Sequence, residues 1–488
     1  MKKILGVFLL TSILFSACKK DLTSLNNDPK NPSIVPSYAL FTNAQRRLSN
    51  TVTSSNVNLN IFRLIEQQWQ ETTYTDESNY DITTRSIPDG IWNALYRDVL
   101  YNFERTKVLI PNDVTGADIQ KNEIAITDVM QVYTYYYLVT TFGDIPYTDA
   151  LDISKPFPRF DDAKTVYYSL LTRLDADIAA LNTGAASFGS ADVIYGGDVT
   201  KWKKFAATLK LKMGITIADL DNAKAKTVVE SAVATGVFTS NSDNAQFQYL
   251  TSPPNTNPVW VDLVQSARQD FVACSTTMAL LKPQTAFADP RLPYYFTVNS
   301  TGTYIGADPG SSATFSLFSK PSGPLLVSSS IGKITNPDFP GLLLDYSETE
   351  FNLAEAISRG YAVAGSVAGH YNSAVTASVT YWGASATAAA AYLLQPTVAF
   401  VTATGGTDLH KIGLQKYLAL YNRGWDAWTE TRRLDYPVLT APSTAQTEFP
   451  VRFTYPVNEQ NVNVTNYNKA ATAIGGDLVT TKLFFDKH

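Results

Sequence analysis

The sequence predicts a mainly α-helical protein that carries one long loop-rich stretch. Apolar residues recur at three- and four-residue spacing over most of the chain between Ser37 and Pro437, which is the pattern of amphipathic helices. Residues 240–340 interrupt this pattern and are rich in Ser, Thr, Asn, Gly and Pro, which favours turns and irregular chain. Hydrophobic residues make up 45% and charged residues 17% of the 488 residues, a globular composition.

The first residues have the layout of a bacterial secretion signal. Two lysines precede the apolar run of residues 4–15, which is shorter than the roughly 20 residues that span a bilayer. The small residues before Cys18 resemble the lipobox that lipoprotein signal peptidase reads. We therefore expect residues 1–17 to be a signal peptide, Cys18 to carry acyl chains such as palmitate, and residues 18–36 to be a tether. An ordinary signal peptide with a chance cysteine, or a buried first helix, is the alternative.

Helical periodicity predicts a series of helices after this tether. The first four are expected over residues 37–48, 58–70, 88–103 and 121–141. The next two are expected to be capped by Asp161 or Asp162 and by Thr200, since Asp and Thr side chains accept hydrogen bonds from the first backbone N–H groups of a helix.

The stretch LLLDYSETEFNLAEAISRG holds the best-specified helix start. Ser347 and Glu350 have capping-box spacing, and Gly360 is expected to end the helix. A second amphipathic segment, AGHYNSAVTASVTYWG, follows, and small residues such as Ala354 and Ala374 allow two helices to approach closely. Such pairs look like tetratricopeptide units, although no clean 34-residue repeat is present.

The domain organisation predicted from these patterns is simple. Since no linker-like boundary interrupts the helices, residues 37–488 are expected to form a single domain. The loop-rich insert at about 240–340 is expected to hold short β-hairpins, and so much irregular chain in a packed domain indicates a use for it.

The sequence lacks the features expected of a nucleic-acid-binding protein, a metalloprotein or an enzyme. Its net charge is −5 without a dense basic run, which disfavours nucleic-acid binding. None of the three histidines, His370, His410 and His488, has a second ligand at metal-binding spacing, and no common catalytic motif occurs. We therefore expect no enzyme activity, no metal and no cofactor.

Aromatic residues are the compositional outlier, at 12% of the chain. A Tyr or Trp ring stacks on the apolar face of a sugar, while Arg, Asp and Asn bind its hydroxyls. In GWDAWTETRR, Trp425, Trp428 and Arg432 recur at helical spacing, so packing within the fold explains them better than a ligand. The ligand candidates therefore lie outside regular helices or at their ends, with ordinary loop packing as the alternative for each: Trp69, Tyr74, Tyr80, Trp92, Trp260, Arg268, Asp270 and Tyr304.

An ordered set of motifs along nearly the whole chain carries a family resemblance. After the lipobox cysteine come NDPKNP, QQWQETTYTDESNY, FGDIPYTDAL, WKKFAATLKLKM, ADPRLPYYF, ETEFNLAEAISRG, QKYLALYNRGWDAWTETRRLDYP and RFTYPVNEQNVNVTNYNKA. This set resembles the SusD/RagB family of nutrient-binding outer-membrane lipoproteins of Bacteroidetes.

The resemblance implies a fold, a place and a partner. It implies four tetratricopeptide-like helix pairs, a lipid anchor at the cell surface, and a role as lid on a SusC-like TonB-dependent outer-membrane transporter, without catalysis. The expected ligand is an oligosaccharide. The alternatives are capture of oligopeptides by the same architecture, or a tetratricopeptide-like scaffold that binds only protein. The family has no invariant ligand motif, so the resemblance assigns no ligand-binding residue.

Overall fold

Helices dominate the part of the chain that the structure describes. The computed structural model describes residues 35–282, 287–321 and 334–488. The predicted signal peptide, Cys18 and all but the last two residues of the tether lie outside these ranges. The helices are α1 (Ser37–Thr53), α2 (Phe62–Ile65), α3 (Ile87–Asn93), α4 (Tyr101–Asp113), α5 (Ala117–Phe142), α6 (Ala163–Ala180), α7 (Val199–Thr216), α8 (Asn222–Thr235), α9 (Pro258–Trp260), α10 (Ser275–Leu281), α11 (Leu292–Tyr295), α12 (Tyr346–Ser358), α13 (Val367–Tyr381), α14 (Ala386–Leu393), α15 (Asp408–Ala419), α16 (Gly424–Leu434), α17 (Val457–Val462) and α18 (Val464–Ala473).

The predicted helix at residues 58–70 is wrong. Only the short α2 forms there, and the chain then turns at Gln67, whose φ of 50° is left-handed. Strand β1 (Trp69–Glu71) follows and pairs with strand β3 (Phe271–Ala273). Nearly every residue of this stretch is buried, so its apolar spacing does not distinguish a helix from a strand, and tertiary pairing decides the structure.

Carboxylates cap several helices, not always at the predicted residue. Asp162 accepts the N–H of Thr165 (2.8 Å) at the start of α6, as expected. Helix α7 is capped by Asp198 and not by Thr200, whose N–H donates to Asp198 (2.9 Å). A carboxylate at the N-cap also interacts with the positive end of the helix dipole, which a hydroxyl does less well.

The predicted capping box of α12 is also wrong in its first residue. Asp345, two residues before Ser347, caps the helix by accepting the N–H of Glu348 (2.7 Å). Ser347 instead donates its hydroxyl proton to the carbonyl of Ala374 in α13 (2.8 Å). The stop at Gly360 is confirmed, since its φ of 79° is the left-handed conformation that ends helices.

Consecutive helices pack against each other in pairs. These pairs are α5 with α6, α7 with α8, α12 with α13, and α15 with α16. Gly214 lets α7 approach α8, because a Cβ there would lie 2.8 Å from the Val229 side chain. Ala354 and Ala374 are fully buried where α12 meets α13, as their small size predicts.

Helix α16, the GWDAWTETRR segment, lies in the core. All of its residues are buried, which confirms the packing interpretation of Trp425, Trp428 and Arg432. Arg433 is the centre of a buried ion network: its guanidinium contacts both carboxylate oxygens of Glu355 and one of Glu430, each at 2.6 Å. The network ties α16 to α12.

Short strands fix the two ends of the loop-rich stretch. Besides the β1–β3 pair, strand β2 (Ala245–Phe247) pairs antiparallel with β4 (Gly341–Leu344). Both pairs join residues far apart in sequence, so neither is the short β-hairpin that was expected in the insert. Residues 37–488 form one compact unit by their internal contacts. In the described ranges, no helix combines the length and the apolar character needed to cross a bilayer.

Candidate functional site

A cleft at one end of the β1–β3 ladder brings together Tyr74, Arg268 and Asp270, which the sequence analysis singled out. The strands are antiparallel, with Glu71 opposite Phe271. The chain that leaves β1 therefore runs beside the chain that enters β3. The Thr72 N–H continues the ladder by donating to the carbonyl of Asp270 (2.8 Å). The register of one short strand pair thus places Tyr74 beside the Arg268–Asp270 segment.

The ring of Tyr74 is the exposed aromatic surface of this cleft, with 71% of the residue accessible. Beside it, Arg268 forms an ion pair with Asp270, and these side chains are 59% and 37% exposed. Arg85 enters the same cleft and pairs with Glu77 (2.7 Å). Each guanidinium has five N–H donors, so donors and carboxylate oxygens remain for a ligand although the charges are compensated.

Two buried carboxyl groups lie at this cleft, where Glu71 forms part of the wall and Glu77 pairs with Arg85. Glu71 accepts the backbone N–H of Ser78 (2.9 Å), and Glu77 is its neighbour. Burial, reinforced by the charge of Glu77, raises the pKa of Glu71 to about 9, and burial also raises the pKa of Glu77. At neutral pH Glu71 therefore holds a proton, which allows the two carboxyl groups to lie together without repulsion.

The loop that carries Tyr74 is held at its far end. The side-chain amide of Asn79 donates to the carbonyls of Gly310 (2.9 Å) and Thr75 (2.8 Å). Gly310 has a φ of 74°, and a Cβ there would lie 2.3 Å from Asn79 Oδ1, so only glycine fits. The Ala313 N–H donates to the carbonyl of Thr72 (2.8 Å). Tyr74 therefore projects from a loop fixed on both sides, which limits the entropy cost of binding.

The other sequence candidates lie elsewhere. Trp69 and Tyr80 are each 1% exposed and point into the core, where the Trp69 indole donates to the Tyr421 hydroxyl (3.0 Å) and the Tyr80 hydroxyl accepts from Gln67 (3.0 Å). Neither ring face is open to a ligand, because both rings are buried. The burial of such large rings stabilises the fold.

Three further candidates lie outside this cleft. Trp92 is 6% exposed and lines a separate cleft. Trp260 ends the short helix α9, and Tyr304 lies in the loop-rich stretch; both are half-buried. The structure does not bring these three rings to the cleft that Tyr74 lines.

Sequence reasoning missed Arg85, Glu71 and Glu77. Arg85 lies in a polar turn without a motif, and only the folding back of this turn brings it to Glu77. Glu71 is buried in strand β1, as its two strand neighbours are, and it directly follows the helix predicted over residues 58–70. No signal in a single sequence identifies any of these three residues.

The carboxyl pair predicts a specific pH dependence. The folded chain holds a proton on Glu71 that the unfolded chain releases above its ordinary pKa of 4.5, so this group's contribution to stability is full below pH 4.5 and is lost as the pH rises to about 9. Glu71→Gln, which is neutral throughout, should therefore gain stability relative to the wild type across this range. Urea unfolding at several pH values measures the difference. A difference independent of pH would show that Glu71 is already ionised in the folded protein.

Known proteins resemble this chain in sequence and in fold. A family model described as SusD-like, starch-binding and associating with the outer membrane matches residues 29–456. A chitin-binding protein superposes with a TM-score of 0.77 at 25% identity, covering 93% of this chain and 100% of that chain. A SusD homologue from Bacteroides uniformis gives a TM-score of 0.74 at 25% identity, with 92% and 100% covered.

A more distant likeness shows the same fold. A chitin-binding SusD homologue from Flavobacterium johnsoniae superposes with a TM-score of 0.76 at 22% identity, covering 92% of this chain and 99% of that chain. Among proteins with curated descriptions, none matches this chain. The match of the family model over most of the sequence establishes that the chain belongs to the SusD-like family of starch-binding proteins that associate with the outer membrane, and that it is a binding protein and not an enzyme.

Proposed function

We propose that this protein is a lipid-anchored cell-surface protein that binds a neutral oligosaccharide at the Tyr74 cleft and delivers it to a SusC-like TonB-dependent transporter. One observation carries the binding half of the proposal: a single exposed ring, Tyr74, stands beside an Arg–Asp pair on a rigid strand end. A sugar ring presents an apolar face to such a tyrosine and hydroxyls to its neighbours.

The charges of the cleft favour a neutral glycan. Arg268 is paired with Asp270, and Arg85 is paired with Glu77. A charged ligand would have to displace one of these partners, whereas a hydroxyl group donates to the carboxylate and accepts from the guanidinium of the same pair. Glu71 is kept neutral by its raised pKa of about 9, so it adds no charge. Binding that depends on one ring and a few hydrogen bonds is weak, which suits a protein that must release its cargo.

The anchor and the partner are supported by the sequence and the family. The residues before Cys18 have the lipobox pattern, and the family associates with the outer membrane. More than one acyl chain gives stable attachment without a spanning helix. A binding protein held beside an import pore would raise the local concentration of cargo at the pore entrance.

Titration calorimetry of residues 19–488 with panels of oligosaccharides tests the proposal. The panel includes chito-oligosaccharides and malto-oligosaccharides, because relatives bind chitin and the family description names starch. We expect heat from one glycan class. Silence from every glycan together with heat from oligopeptides would replace the sugar by a peptide. Silence from both, with co-purification of a transporter, would favour a scaffold without a small ligand.

Tyr74→Ala should weaken the binding of that glycan by about tenfold, because loss of one stacked ring costs on the order of 1–3 kcal/mol. The ring is 71% exposed, so the fold should not change. Tyr38→Ala is the matched control, since Tyr38 is also exposed (56%) and does not line the cleft. Equal affinity for wild type and Tyr74→Ala would remove Tyr74 from the site.

A further inference from the structure

A cleft that none of the sequence candidates lines lies where α13 meets the start of α12 and the chain at residue 241. It encloses about 670 Å³, a volume typical of ligand sites, and it shares no residue with the Tyr74 cleft. We call it the α13 cleft. Its walls include Asn241, Tyr346, Asn372, Ser373, Thr376 and Thr380.

The walls of the α13 cleft carry no formal charge. They consist of Ser, Thr and Asn side chains, one Ala and one Tyr. The lack of charge extends along the chain, because residues 360–407, which include α13, contain no Asp, Glu, Lys or Arg, although these four types make up 17% of the whole sequence. A charged ligand would find no counter-ion on these walls, so the cleft favours a neutral ligand.

Two carboxylates that act on Tyr346 are already paired with cations. Burial raises the pKa of Tyr346 to about 12, with a contribution from the nearby carboxylates of Glu350 and Asp243. Glu350 is bound by His370 (2.7 Å), and Asp243 accepts from Lys204 (3.1 Å). The hydrogen bond to Glu350 raises the pKa of His370, which favours the charged ring. These acidic groups are therefore compensated, and neither of them lines the cleft.

Hydrogen bonds hold the two walls together before any ligand binds. The side-chain amide of Asn241 donates to the carbonyl of Ala377 in α13 (3.0 Å). The Tyr346 N–H donates to the side-chain oxygen of Asn244 (2.8 Å), and the Ser347 hydroxyl joins α12 to α13 directly. Ordering of the walls is therefore not a cost that binding has to meet.

Hydrogen-bonding groups on one face of α13 are free to contact a ligand. Asn372 and Ser373 lie four and three residues before Thr376, so the three share one face of the helix. Within residues 35–282, 287–321 and 334–488, no hydrogen bond occupies any of these three side chains. Thr380, by contrast, donates its hydroxyl proton to the carbonyl of Thr376 (2.8 Å). Hydroxyl and amide groups both donate and accept, as the hydroxyls of a sugar do.

The composition of the α13 cleft disfavours the other classes of occupant. The centres of protein–protein contacts are rich in aromatic residues, Met and Arg and poor in Ser, whereas Tyr346 is the one large side chain among the residues that line this cleft. A lipid surface needs basic or large apolar side chains, and an ion needs charged ones. A neutral ligand covered with hydroxyl groups matches these walls best.

We propose that the α13 cleft is a second binding site for a neutral glycan on this chain. Asn372, Ser373 and Thr376 bind the hydroxyl groups of the glycan, and the half-buried ring of Tyr346 packs against the apolar face of one sugar. This site goes beyond the Tyr74 cleft of the proposed function, and neither site needs the other in order to bind. One partly covered ring and a few hydrogen bonds give weak affinity, so the cleft adds a second point of attachment for a long glycan.

Affinity electrophoresis of the full-length chain in non-ionic detergent tests the second site. The gels contain soluble starch or glycol chitin, and the dissociation constant follows from the retardation of the protein band. The proteins compared are the wild type, Tyr74→Ala, the cleft variant Ser373→Ala with Thr376→Val, and the combination of all three substitutions. Thr387→Val is the matched control, since Thr387 is an exposed threonine of α14 and does not line the cleft.

We expect Tyr74→Ala to remain retarded by one of the two polymers. In the combined variant the dissociation constant for that polymer should rise at least about tenfold over that of Tyr74→Ala, because two hydrogen-bonding hydroxyls are lost. Thr387→Val should bind as the wild type does. The unfolding temperature of the cleft variant should equal that of the wild type, since the two replaced hydroxyls bond to no other group in the described part of the chain.

The remaining outcomes separate the two sites. If Tyr74→Ala alone abolishes retardation, or if the combined variant binds as tightly as Tyr74→Ala, the α13 cleft is not a glycan site, whatever the role of Tyr74. If Tyr74→Ala binds as the wild type does and the cleft variant does not, the Tyr74 site of the proposed function fails and the α13 cleft stands. A wild type that neither polymer retards contradicts the inference.

Discussion

Arg433→Ala should lower the free energy of unfolding by about 3–5 kcal/mol, which is the typical cost of removing one member of a buried ion network. Arg433 is fully buried between Glu355 and Glu430. The guanidinium helps to hold the pKa of Glu355 low, at about 2, against the opposing effect of burial. Without Arg433, each carboxylate keeps only its other partner, Arg359 for Glu355 and Lys416 for Glu430.

Urea unfolding followed by circular dichroism measures this loss. Arg97→Ala is the matched control, because Arg97 also pairs with a carboxylate, Asp98, but its side chain is 73% exposed, and exposed pairs contribute about 0–1 kcal/mol. A loss below about 1 kcal/mol for Arg433→Ala would show that the network is not part of what holds α12 and α16 together.

Trp428→Ala should cost about 3–5 kcal/mol, as removal of a buried tryptophan generally does. Its ring packs on Phe62 (4.9 Å between centroids) and lies under the Arg432 guanidinium (3.4 Å). Its indole N–H donates to the carbonyl of Pro450 (2.7 Å), so the variant also leaves a buried acceptor without its donor.

The same variant decides between a core role and a ligand role for GWDAWTETRR. A core residue predicts a lower unfolding midpoint, with glycan affinity unchanged for whatever fraction remains folded. Trp428→Phe should recover part of the stability, because it keeps one aromatic ring in the core. Wild-type stability combined with lost glycan binding would place this ring at the ligand and contradict its packing against Phe62 and Arg432.

The helices could be predicted from the sequence where one face meets water. In α6 and α13 exposed polar residues alternate with buried apolar ones at helical spacing, and both helices form where expected. The helix predicted over residues 58–70 was wrong because almost every side chain there is buried. The spacing of apolar residues therefore carries no information about an exposed face. The predicted caps Thr200 and Ser347 were also wrong, because an acidic residue two positions earlier caps the helix in each case.

The candidate site was predictable in part. The aromatic residue Tyr74 and the charged residues Arg268 and Asp270 stand out in the sequence because they lie in irregular chain. Their meeting depends on the β1–β3 register, which joins residues separated by most of the first half of the chain. Trp69 and Tyr80 flank Tyr74 in the same motif and yet are buried. All three residues of β1 are buried, and the composition of the motif does not show where the chain leaves the interior.

The core and the Tyr74 cleft of this protein differ in how much substitution they should tolerate. The paired helices are held by buried rings and ion networks such as that of Arg433, which tolerate little change. The Tyr74 cleft is built on loops fixed at a few points, including Asn79 and Gly310, and the side chains that would face the proposed ligand, such as Tyr74 and Arg268, are exposed. Substitutions in such loops can change what a protein binds without loss of the fold.

A crystal structure of the protein with the glycan that calorimetry identifies would show whether the Tyr74 cleft binds that glycan. We expect electron density for a sugar ring packed about 4 Å from the ring of Tyr74, with hydroxyls hydrogen-bonded to the Arg268–Asp270 pair. A glycan bound on a surface that includes neither Tyr74 nor Arg268 would contradict this expectation.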